Sequence, residues 1–343
     1  MELLTNPYRH VGLDHPDLAD MPWTAADAGP PQELVARCPR ASVTPLIAAQ
    51  GLASELGIGA LHIKDERDRM GLGSFKALGG AYVIACDAAA GEAAGQTYVT
   101  ASAGNHGLSV AAGAQAFGAQ ARVFIAETVP EAFAERLRSF GAEVVRKGRV
   151  YEDSMAAAAQ SATNEGLILL SDSSWPGYFE RPHRLMEGYL ILMAEAVAQI
   201  PEPPTHIFLQ AGVGGLAGAC AAHARLVWQD APQIIVVEPD AAPALAASIR
   251  AGAPVVAGGP VSAMGRLDCK EPSLIALKSL ARDADAFMTL TEDEGADGAA
   301  RAEAAGFASS PSGAAGLAGL IQGRADLALG EQARVLVILS EAA

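Results

Sequence analysis

The sequence is poor in cysteine and in aromatic residues. Its four cysteines lie far apart and show no Cys-x-x-Cys spacing, so they match neither a zinc site nor a disulfide framework. Aromatic residues make up only 5% of the chain, whereas alanine is abundant, and this composition favours helices packed closely on sheets over an aromatic-rich interaction surface. We therefore expect reduced thiols, no bound metal and an α/β fold. The cysteines are Cys38, Cys86, Cys220 and Cys269.

Positive charge and long apolar runs are also scarce. Lys and Arg number 24 against 39 Asp and Glu, which gives a formal net charge of -15 and a field that repels nucleic acids and anionic membrane surfaces. No window reaches the roughly 18 apolar residues of a membrane-spanning helix, and residues 1–31 lack the basic start and apolar run of a signal peptide. The sequence predicts a cytoplasmic protein that binds neither nucleic acid nor a membrane.

The length of the chain and its hydrophobic pattern predict two α/β domains. At roughly 100 to 200 residues per domain, 343 residues should form about two. Short runs rich in β-branched residues alternate with alanine-rich stretches, as in βαβ units, and no repeat or linker divides the chain, so we expect interleaved domains. Residues 1–40 carry several prolines and should form an irregular arm without helices. The predicted strands are Thr97–Thr100, Ala121–Ile125, Glu143–Val145, His206–Leu209, Gln233–Val237 and Arg334–Leu339.

The first candidate site is a glycine-rich turn, Gly71–Gly80, that runs into a predicted helix. Ser74 is suited to cap this helix, which places Lys76 in its first turn. The positive partial charge of a helix N-terminus disfavours a cation, so we expect Lys76 to lose its proton more readily than usual, as an amine must before it attacks a carbonyl. A lone lysine is more often a solvated surface residue, so this turn alone does not establish a site.

The second candidate is the segment Val99–Gly107, in which a strand ends in a turn of small residues before a helix predicted over Leu108–Phe117. Such a corner exposes backbone N–H groups and places Ser102, Asn105 and His106 where a ligand can meet them. Asn and His also commonly satisfy a tight turn and a helix start, so this segment needs support from elsewhere in the chain.

The third candidate is the glycine-rich segment Gln210–Gly218, which lies between a predicted strand and a helix predicted over Leu216–Trp228. Glycines let the backbone close on a phosphate, and the helix dipole favours the charge of that phosphate. The segment therefore predicts a phosphate cradle. Its members are Gly212, Val213, Gly214 and Gly215.

The same segment also fits a dinucleotide fingerprint. Gly212-x-Gly214-x-x-Ala217 follows a strand, and Glu238 ends the next strand 26 residues after Gly212, near where a ribose-binding acid is expected. This alternative predicts an NAD-dependent oxidoreductase. It gives no role to Lys76 or to the Asn105 turn, and a nucleotide-binding unit usually opens its domain.

A pyridoxal 5'-phosphate (PLP) enzyme gives a role to all three segments. It needs a lysine to bind the cofactor aldehyde, a glycine cradle for the phosphate, and polar groups at the ring oxygen and nitrogen. Here the sequence resembles the fold type II PLP enzymes, the tryptophan synthase β superfamily. Gly73–Lys76 is similar to that family's lysine motif, Ser102–Gly107 to its cofactor-ring loop and Ala211–Leu216 to its phosphate loop. The likeness extends over about Lys64–Ser340.

The resemblance implies a particular fold and domain arrangement. It implies an α/β protein of two interleaved three-layer α/β/α domains with mostly parallel sheets. A large PLP-binding domain would comprise residues 1–89 and 176–343, and a smaller inserted domain, residues 90–175, would carry the Ser102–Gly107 loop. It also implies a homodimer.

Within the superfamily the chain most resembles the diaminopropionate ammonia-lyases. The likeness rests on Lys64-Asp-Glu, on Asp172–Tyr178 with Met186–Tyr189, on Gln210–Gly214 and on Gly265–Pro272. Without this resemblance, Trp175 and Tyr178 would be interpreted as core or interface aromatic residues, and Asp172 as a turn residue or helix cap.

Three positions depart from the pattern of these relatives. Ala103 stands where the lyases carry an Asp thought to act as base on the D-isomer, so we expect activity on L-substrates. Lys270 adds a cation beside Glu271, and Ser310 stands where many dehydratases of the superfamily carry a Glu. These changes predict a substrate that differs from that of the relatives.

The resemblance also implies roles for single residues. Lys76 would hold PLP as an aldimine and, once released, remove the Cα proton. Asn105 would contact the ring hydroxyl, and Gly212–Gly215 would bind the phosphate. Ser340 would face the pyridine nitrogen, where a neutral hydroxyl favours β-elimination over transamination. Asp172 and Glu271 are candidates to bind a second amine or to assist the leaving group, and the expected substrate contacts are Ser102, His106, Asp172 and Tyr178.

The predicted activity is PLP-dependent β-elimination on a small β-substituted L-amino acid similar to 2,3-diaminopropionate. It would pass through aminoacrylate and yield a 2-oxo acid and ammonia. The alternative within the family is a serine or threonine dehydratase, or an ammonia-lyase for hydroxy-amino acids. The alternatives outside this activity are the NAD-dependent oxidoreductase and a catalytically idle ligand-binding relative.

Overall fold

The computed structural model describes residues 1–343, apart from the side chains of residues 151 and 152. Its strands are β1 (Glu2–Thr5), β2 (Leu46–Ala48), β3 (Ala60–Asp65), β4 (Thr97–Ala101), β5 (Gln120–Ile125), β6 (Glu143–Arg146), β7 (Ile168–Leu169), β8 (His206–Gln210), β9 (Gln233–Pro239), β10 (Ala286–Leu290) and β11 (Arg334–Leu339). Its α-helices are α1 (Pro16–Ala19), α2 (Gly29–Val35), α3 (Gln50–Leu56), α4 (Gly80–Ala89), α5 (Asn105–Ala116), α6 (Glu131–Ser139), α7 (Tyr151–Glu165), α8 (Glu180–Gln199), α9 (Gly215–Trp228), α10 (Ala244–Ala251), α11 (Leu274–Asp283), α12 (Glu292–Ala304) and α13 (Ala315–Gly323). Among the described residues, no helix is both long and apolar enough to cross a bilayer.

The larger sheet has seven strands in the order β1-β10-β9-β8-β11-β3-β2. The central strands β10, β9, β8, β11 and β3 run parallel, and the edge strands β1 and β2 pair antiparallel. A parallel sheet covered by helices on both faces needs apolar side chains on both faces. This explains why β9, β10 and β11 are almost continuous runs of buried residues.

The smaller sheet has four parallel strands in the order β6-β5-β4-β7. On one face, Val123 of β5 belongs to the same buried cluster as Leu108 of α5. On the other face, Phe124 of β5 clusters with Ala158 of α7. The predicted α/β fold with mostly parallel sheets is confirmed, and each predicted strand lies within an observed one.

The N-terminal arm differs from the prediction, because it contains regular structure. β1 pairs with β10, with Leu3 opposite Met288, and therefore completes one edge of the larger sheet. Prolines stand in the first turns of α1 and α2, where a helix does not need the missing N–H. The prediction that these prolines exclude helices is therefore wrong.

Three parallel strands lead from their carboxyl ends into the segments that carry polar and glycine residues. β4 is followed by residues 102–104, β8 by residues 211–214, and β11 by Ser340 and Glu341. An antiparallel bridge between Ser74 and Glu341 attaches the Lys76 segment to the end of β11. Open α/β sheets bind ligands at the carboxyl ends of their parallel strands, and the fold brings all three predicted segments to that place.

Candidate active site

Lys76 lies in a short 3-10 helix, Phe75–Leu78, that is anchored to the end of β11. The Phe75 N–H donates to the Ser340 carbonyl at 3.0 Å, and the Ala342 N–H donates to the Gly73 carbonyl at 3.0 Å. The Ser74 side chain makes no cap bond, so the predicted capped α-helix is wrong here. Its hydroxyl oxygen is instead buried and has no partner among the described residues.

The amine of Lys76 faces a carboxylate and two aromatic rings. Lys76 Nζ donates to Asp172 Oδ2 at 2.5 Å and lies 5.4 Å and 5.7 Å from the ring centroids of Phe75 and Tyr189. Burial acts to lower the pKa of Lys76, but the Asp172 charge outweighs it and holds this pKa well above its usual range. The expectation that Lys76 loses its proton readily is therefore wrong in this arrangement, because an opposite charge at contact distance exceeds any effect of a helix end.

Asp172 owes its charged state to the same contact. Burial acts to raise its pKa, whereas the Lys76 ammonium acts to lower it, and the net pKa lies well below its usual range. The Tyr178 hydroxyl holds the neighbouring backbone: it donates to the Leu169 carbonyl and accepts from the Ser171 N–H, both at 3.0 Å. Tyr178 thus fixes the turn that carries Asp172, and burial raises its own pKa to about 12.

The glycine segment after β8 forms a tight turn at the start of α9. Gly214 has φ of 97°, a left-handed conformation that side chains rarely adopt. A Cβ at Gly212 would lie 2.9 Å from Cys269 Sγ, so the backbone there has no room for a side chain. The first N–H groups of a helix have no partner within it, and α9 directs them toward this turn. The geometry suits an anion.

The Ser102–His106 segment presents its polar groups in different directions. Asn105 begins α5, and its Nδ2 donates to Glu341 Oε2 at 2.5 Å. Ser102 Oγ accepts from the Gly104 N–H at 3.1 Å. His106 Nε2 lies 2.9 Å from the Leu170 carbonyl, and burial lowers the pKa of His106, so its ring is neutral and turned toward the smaller sheet.

Ser340 and Glu271 occupy contrasting positions. Ser340 is buried directly after β11, at the point where the Lys76 segment is attached. Glu271 is exposed, and among the described side chains it makes no hydrogen bond or ion pair. Lys270 turns away from it and donates to the Ala241 and Pro260 carbonyls and to Asp268.

Sequence reasoning missed three residues that the structure brings to the site. Glu341 binds Asn105, Arg266 Nε lies 3.8 Å from Glu341 Oε2, and Tyr189 lies beside Lys76. Tyr189 belongs to a segment that resembles the lyases, and Glu341 directly follows Ser340, so neighbouring positions were the available signals. A cleft of about 370 Å³ opens beside them and is lined by Gly73, Asn105, Arg136, Arg266, Ser310 and Glu341, among others.

Glu238 is unavailable to a nucleotide ribose. It is fully buried, and its two carboxylate oxygens accept the N–H groups of Leu245 and Ala246 at 2.8 Å, at the start of α10. Burial raises its pKa to about 8. The NAD alternative is therefore wrong, because it required Glu238 to bind the ribose.

The comparison with protein families agrees with the site. The family described as "Pyridoxal-phosphate dependent enzyme" matches residues 39–341. The chain is a member of this family. The residues fit its cofactor, since the carboxyl ends of the parallel strands bring together a lysine, a glycine turn at a helix N-terminus and a buried hydroxyl that has no partner among the described residues.

The enzyme is similar to several characterised proteins. It is 36% identical to a diaminopropionate ammonia-lyase from Salmonella typhimurium over 281 residues, which cover 74% of this chain and 70% of the relative. It is 28% identical to the serine dehydratase-like protein of Mus musculus over 252 residues, or 73% and 72% of the two chains. The structure of Escherichia coli diaminopropionate ammonia lyase with an aminoacrylate-PLP azomethine reaction intermediate matches with a TM-score of 0.88 and 29% identity, over 99% of this chain and 93% of the other.

Proposed function

We propose that the enzyme eliminates the β-substituent of a small β-substituted L-amino acid similar to 2,3-diaminopropionate and releases a 2-oxo acid and ammonia. The observation that carries this proposal is the contact between Lys76 Nζ and Asp172 Oδ2 at 2.5 Å, beside the glycine turn that starts α9. PLP, when bound, supplies an electron sink that stabilises negative charge at the substrate Cα.

Lys76 would carry out the proton transfers, and Asp172 would stabilise its charged form. Lys76 would bind the cofactor covalently and, after exchange with the substrate amine, its free Nζ would take the Cα proton. The resulting ammonium would be stabilised by Asp172, as it is in the present structure, and would return its proton to the departing β-group. The bond from Cβ to that group then breaks, and the group leaves as a neutral molecule.

The remaining cofactor contacts follow the sequence prediction. Gly212, Val213, Gly214 and Gly215 would bind the phosphate, which the left-handed Gly214 and the N-terminus of α9 support. Asn105 would bind the ring hydroxyl. Ser340 would meet the ring nitrogen with a neutral hydroxyl, an assignment supported by its burial at the end of β11.

The substrate contacts would come from the turns beside Lys76. Ser102 would receive the substrate carboxylate near the N–H groups of the first turn of α5, with His106 beside it. Asp172 would meet a second amine, and Tyr178 would act by fixing its turn. Glu271 would need a change of conformation to reach a substrate, because its side chain is exposed. Ala103 offers no carboxylate as base, which supports the L-isomer.

A serine or threonine dehydratase is the second candidate. The similarity to a serine dehydratase-like protein favours it, and the Lys76 ammonium could protonate a departing hydroxyl as readily as an amine. We further propose that the enzyme is a cytoplasmic homodimer and that residues 90–175 form an inserted domain. The smaller sheet lies wholly within that range, which supports these domain limits.

The experiment is a panel of β-substituted L- and D-amino acids assayed for ammonia and 2-oxo acid. We expect turnover of L-2,3-diaminopropionate to exceed that of L-serine and L-threonine, with little turnover of D-isomers. Preference for L-serine or L-threonine would favour the dehydratase. A protein that binds PLP but releases no ammonia from any member would refute the proposal, and rapid turnover of D-diaminopropionate would refute the interpretation of Ala103.

A further inference from the structure

Glu341 has no role in the function proposed above, yet it sits at the centre of the site. It directly follows Ser340, and its side chain is only 8% exposed. Its carboxylate accepts from Asn105 Nδ2 at 2.5 Å and from the Ser310 hydroxyl, and it lies 3.8 Å from Arg266 Nε. One carboxylate therefore joins three segments that are far apart in the chain.

The position of Glu341 is fixed by its backbone and its neighbours. Its carbonyl accepts from Ser309 Oγ at 2.6 Å, and its backbone forms the bridge to Ser74. A Cβ at Gly313 would lie 2.9 Å from Glu341 Cγ, so Gly313 leaves the space that the side chain occupies. A carboxylate buried in this way is stable only when its oxygens are paired.

The partners of Glu341 are themselves held in place. Ser310 Oγ accepts from the Gly313 N–H at 3.0 Å, which leaves its own proton for the carboxylate. Arg266 Nη1 donates to the Ala103 carbonyl at 2.9 Å. Burial raises the pKa of Glu341, while Ser310, Arg266 and Asn105 act against that rise. The net pKa of Glu341 lies above its usual value, but both carboxylate oxygens accept hydrogen bonds, Oε1 from Ser310 and Oε2 from Asn105, and this geometry favours the ionised form.

An ionised carboxylate decides which way the Asn105 amide faces. Such a group only accepts hydrogen bonds, so it requires the Nδ2 side of Asn105 and rejects the Oδ1 side. Nδ2 carries two protons, and Glu341 uses one of them. The second remains available as a donor toward the ring hydroxyl of PLP. Without Glu341, the amide could turn and present its oxygen instead.

We propose that Glu341 is a positioning residue that fixes the donor side of Asn105 toward the cofactor ring. Ser310 and Arg266 hold the carboxylate for this purpose. The proposal rests on the role assigned to Asn105 in the proposed function.

The experiment measures cofactor binding and the visible absorbance of the holoenzyme in Glu341→Leu and Glu341→Gln. We expect Leu to weaken PLP affinity at least about tenfold, as loss of a charged hydrogen bond does, and to shift the absorbance maximum. Gln should restore most of the affinity, because its carbonyl oxygen can still accept from Asn105. Glu331→Leu, at an exposed carboxylate, is the matched control and should match wild type.

A double-mutant cycle separates positioning from general stability. In an Asn105→Ala background, Glu341→Leu should cause little further loss of PLP affinity, since its target is gone. Equal losses in both backgrounds, or a Glu341→Leu holoenzyme with wild-type affinity and absorbance, would overturn the proposal. Wild-type enzyme that binds no PLP at Lys76 would instead refute the proposed function, so the two failures are distinguishable.

Discussion

Lys64, which is buried, and Lys76, which is partly exposed, show how differently two lysines of one protein can be used. Lys64 Nζ donates to the Thr44 carbonyl at 2.7 Å, to Glu195 Oε2 at 2.7 Å and to Gln199 Oε1 at 3.0 Å, and it is completely buried. Lys76 Nζ donates to one carboxylate and keeps 21% of its side chain exposed. The first amine has all three protons engaged, whereas the second can exchange its partner for a ligand.

The pKa values of the two amines would suggest the opposite assignment, with Lys64 as the nucleophile. Burial lowers the pKa of Lys64 despite its ion pair with Glu195, whereas Asp172 raises the pKa of Lys76. A lowered pKa is often taken as the mark of a nucleophilic lysine, and that criterion alone would select Lys64. Lys76 is instead the better candidate because its side chain is accessible and its Nζ has hydrogen-bond donors that are not engaged by the described residues. Whether the amine can contact a ligand is therefore a better criterion for a nucleophilic lysine than its pKa.

The surroundings of Lys64 explain its inertness. Arg69 donates to Glu66 and to Glu195, so two cations and two anions balance one another in the interior. The network ties β3 to α8. The Lys64-Asp-Glu segment, which resembles that of the lyases, therefore maintains the fold rather than the chemistry.

The largest effect is expected for Lys76→Ala. Without the amine, PLP has no covalent partner and the Cα proton has no base, so kcat should fall by at least about 10³-fold. Steady-state assays with the preferred substrate would measure this, and the circular dichroism of the cofactor-free variant should show that it is folded. Lys147→Ala, at an exposed lysine, is the control. Substantial residual activity would contradict the assignment.

Lys64→Met should act on stability instead. Removing one cation leaves Glu195 incompletely compensated in the interior, a loss that typically costs about 3–5 kcal/mol of unfolding free energy. Urea unfolding of the cofactor-free protein measures it, with Lys147→Met as the matched control. The folded fraction should keep the visible absorbance of bound PLP. Loss of that absorbance without loss of stability would mean that Lys64, and not Lys76, binds PLP.

Asp172→Asn tests the carboxylate that pairs with Lys76. The neutral amide no longer favours the ammonium, so the pKa of Lys76 should fall and the leaving group should lose its proton donor. We expect kcat to drop roughly 10²-fold while PLP stays bound. The pH profile of kcat measures the change, and Asp297→Asn, at a half-buried carboxylate paired with Arg301, should leave it unaltered. An unchanged profile for Asp172→Asn would show that the contact is structural only.

Glu238 is a third buried ionisable residue, and its expected effect is confined to the dependence of stability on pH. Its pKa is raised from 4.5 to about 8, so its stabilising contribution is complete below pH 4.5 and is lost as pH rises toward 8. Wild type should lose up to about 1.4 kcal/mol per pH unit relative to Glu238→Gln in that window. Urea unfolding across the window measures the slope, and equal slopes would contradict the raised pKa. Glu331→Gln should show the wild-type slope.

The sequence was sufficient for the local features of the site and insufficient for its long-range contacts. The turns at Asn105 and Gly214 are determined by adjacent small residues, so their positions were predicted. The contact between Asn105 and Glu341 joins residues 236 positions apart, and that between Lys76 and Asp172 joins residues 96 apart. Such contacts depend on how the sheets pack, as does the pairing of β1 with β10. The charge state of Lys76 could not be predicted for the same reason.

The most direct test of the account is to reduce the holoenzyme with borohydride and map the modified peptide by mass spectrometry. The account predicts that the pyridoxyl group is found on Lys76 and that the peptide containing Lys64 is unmodified. A fully active enzyme in which Lys76 is unmodified, or in which another lysine carries the group, would contradict it.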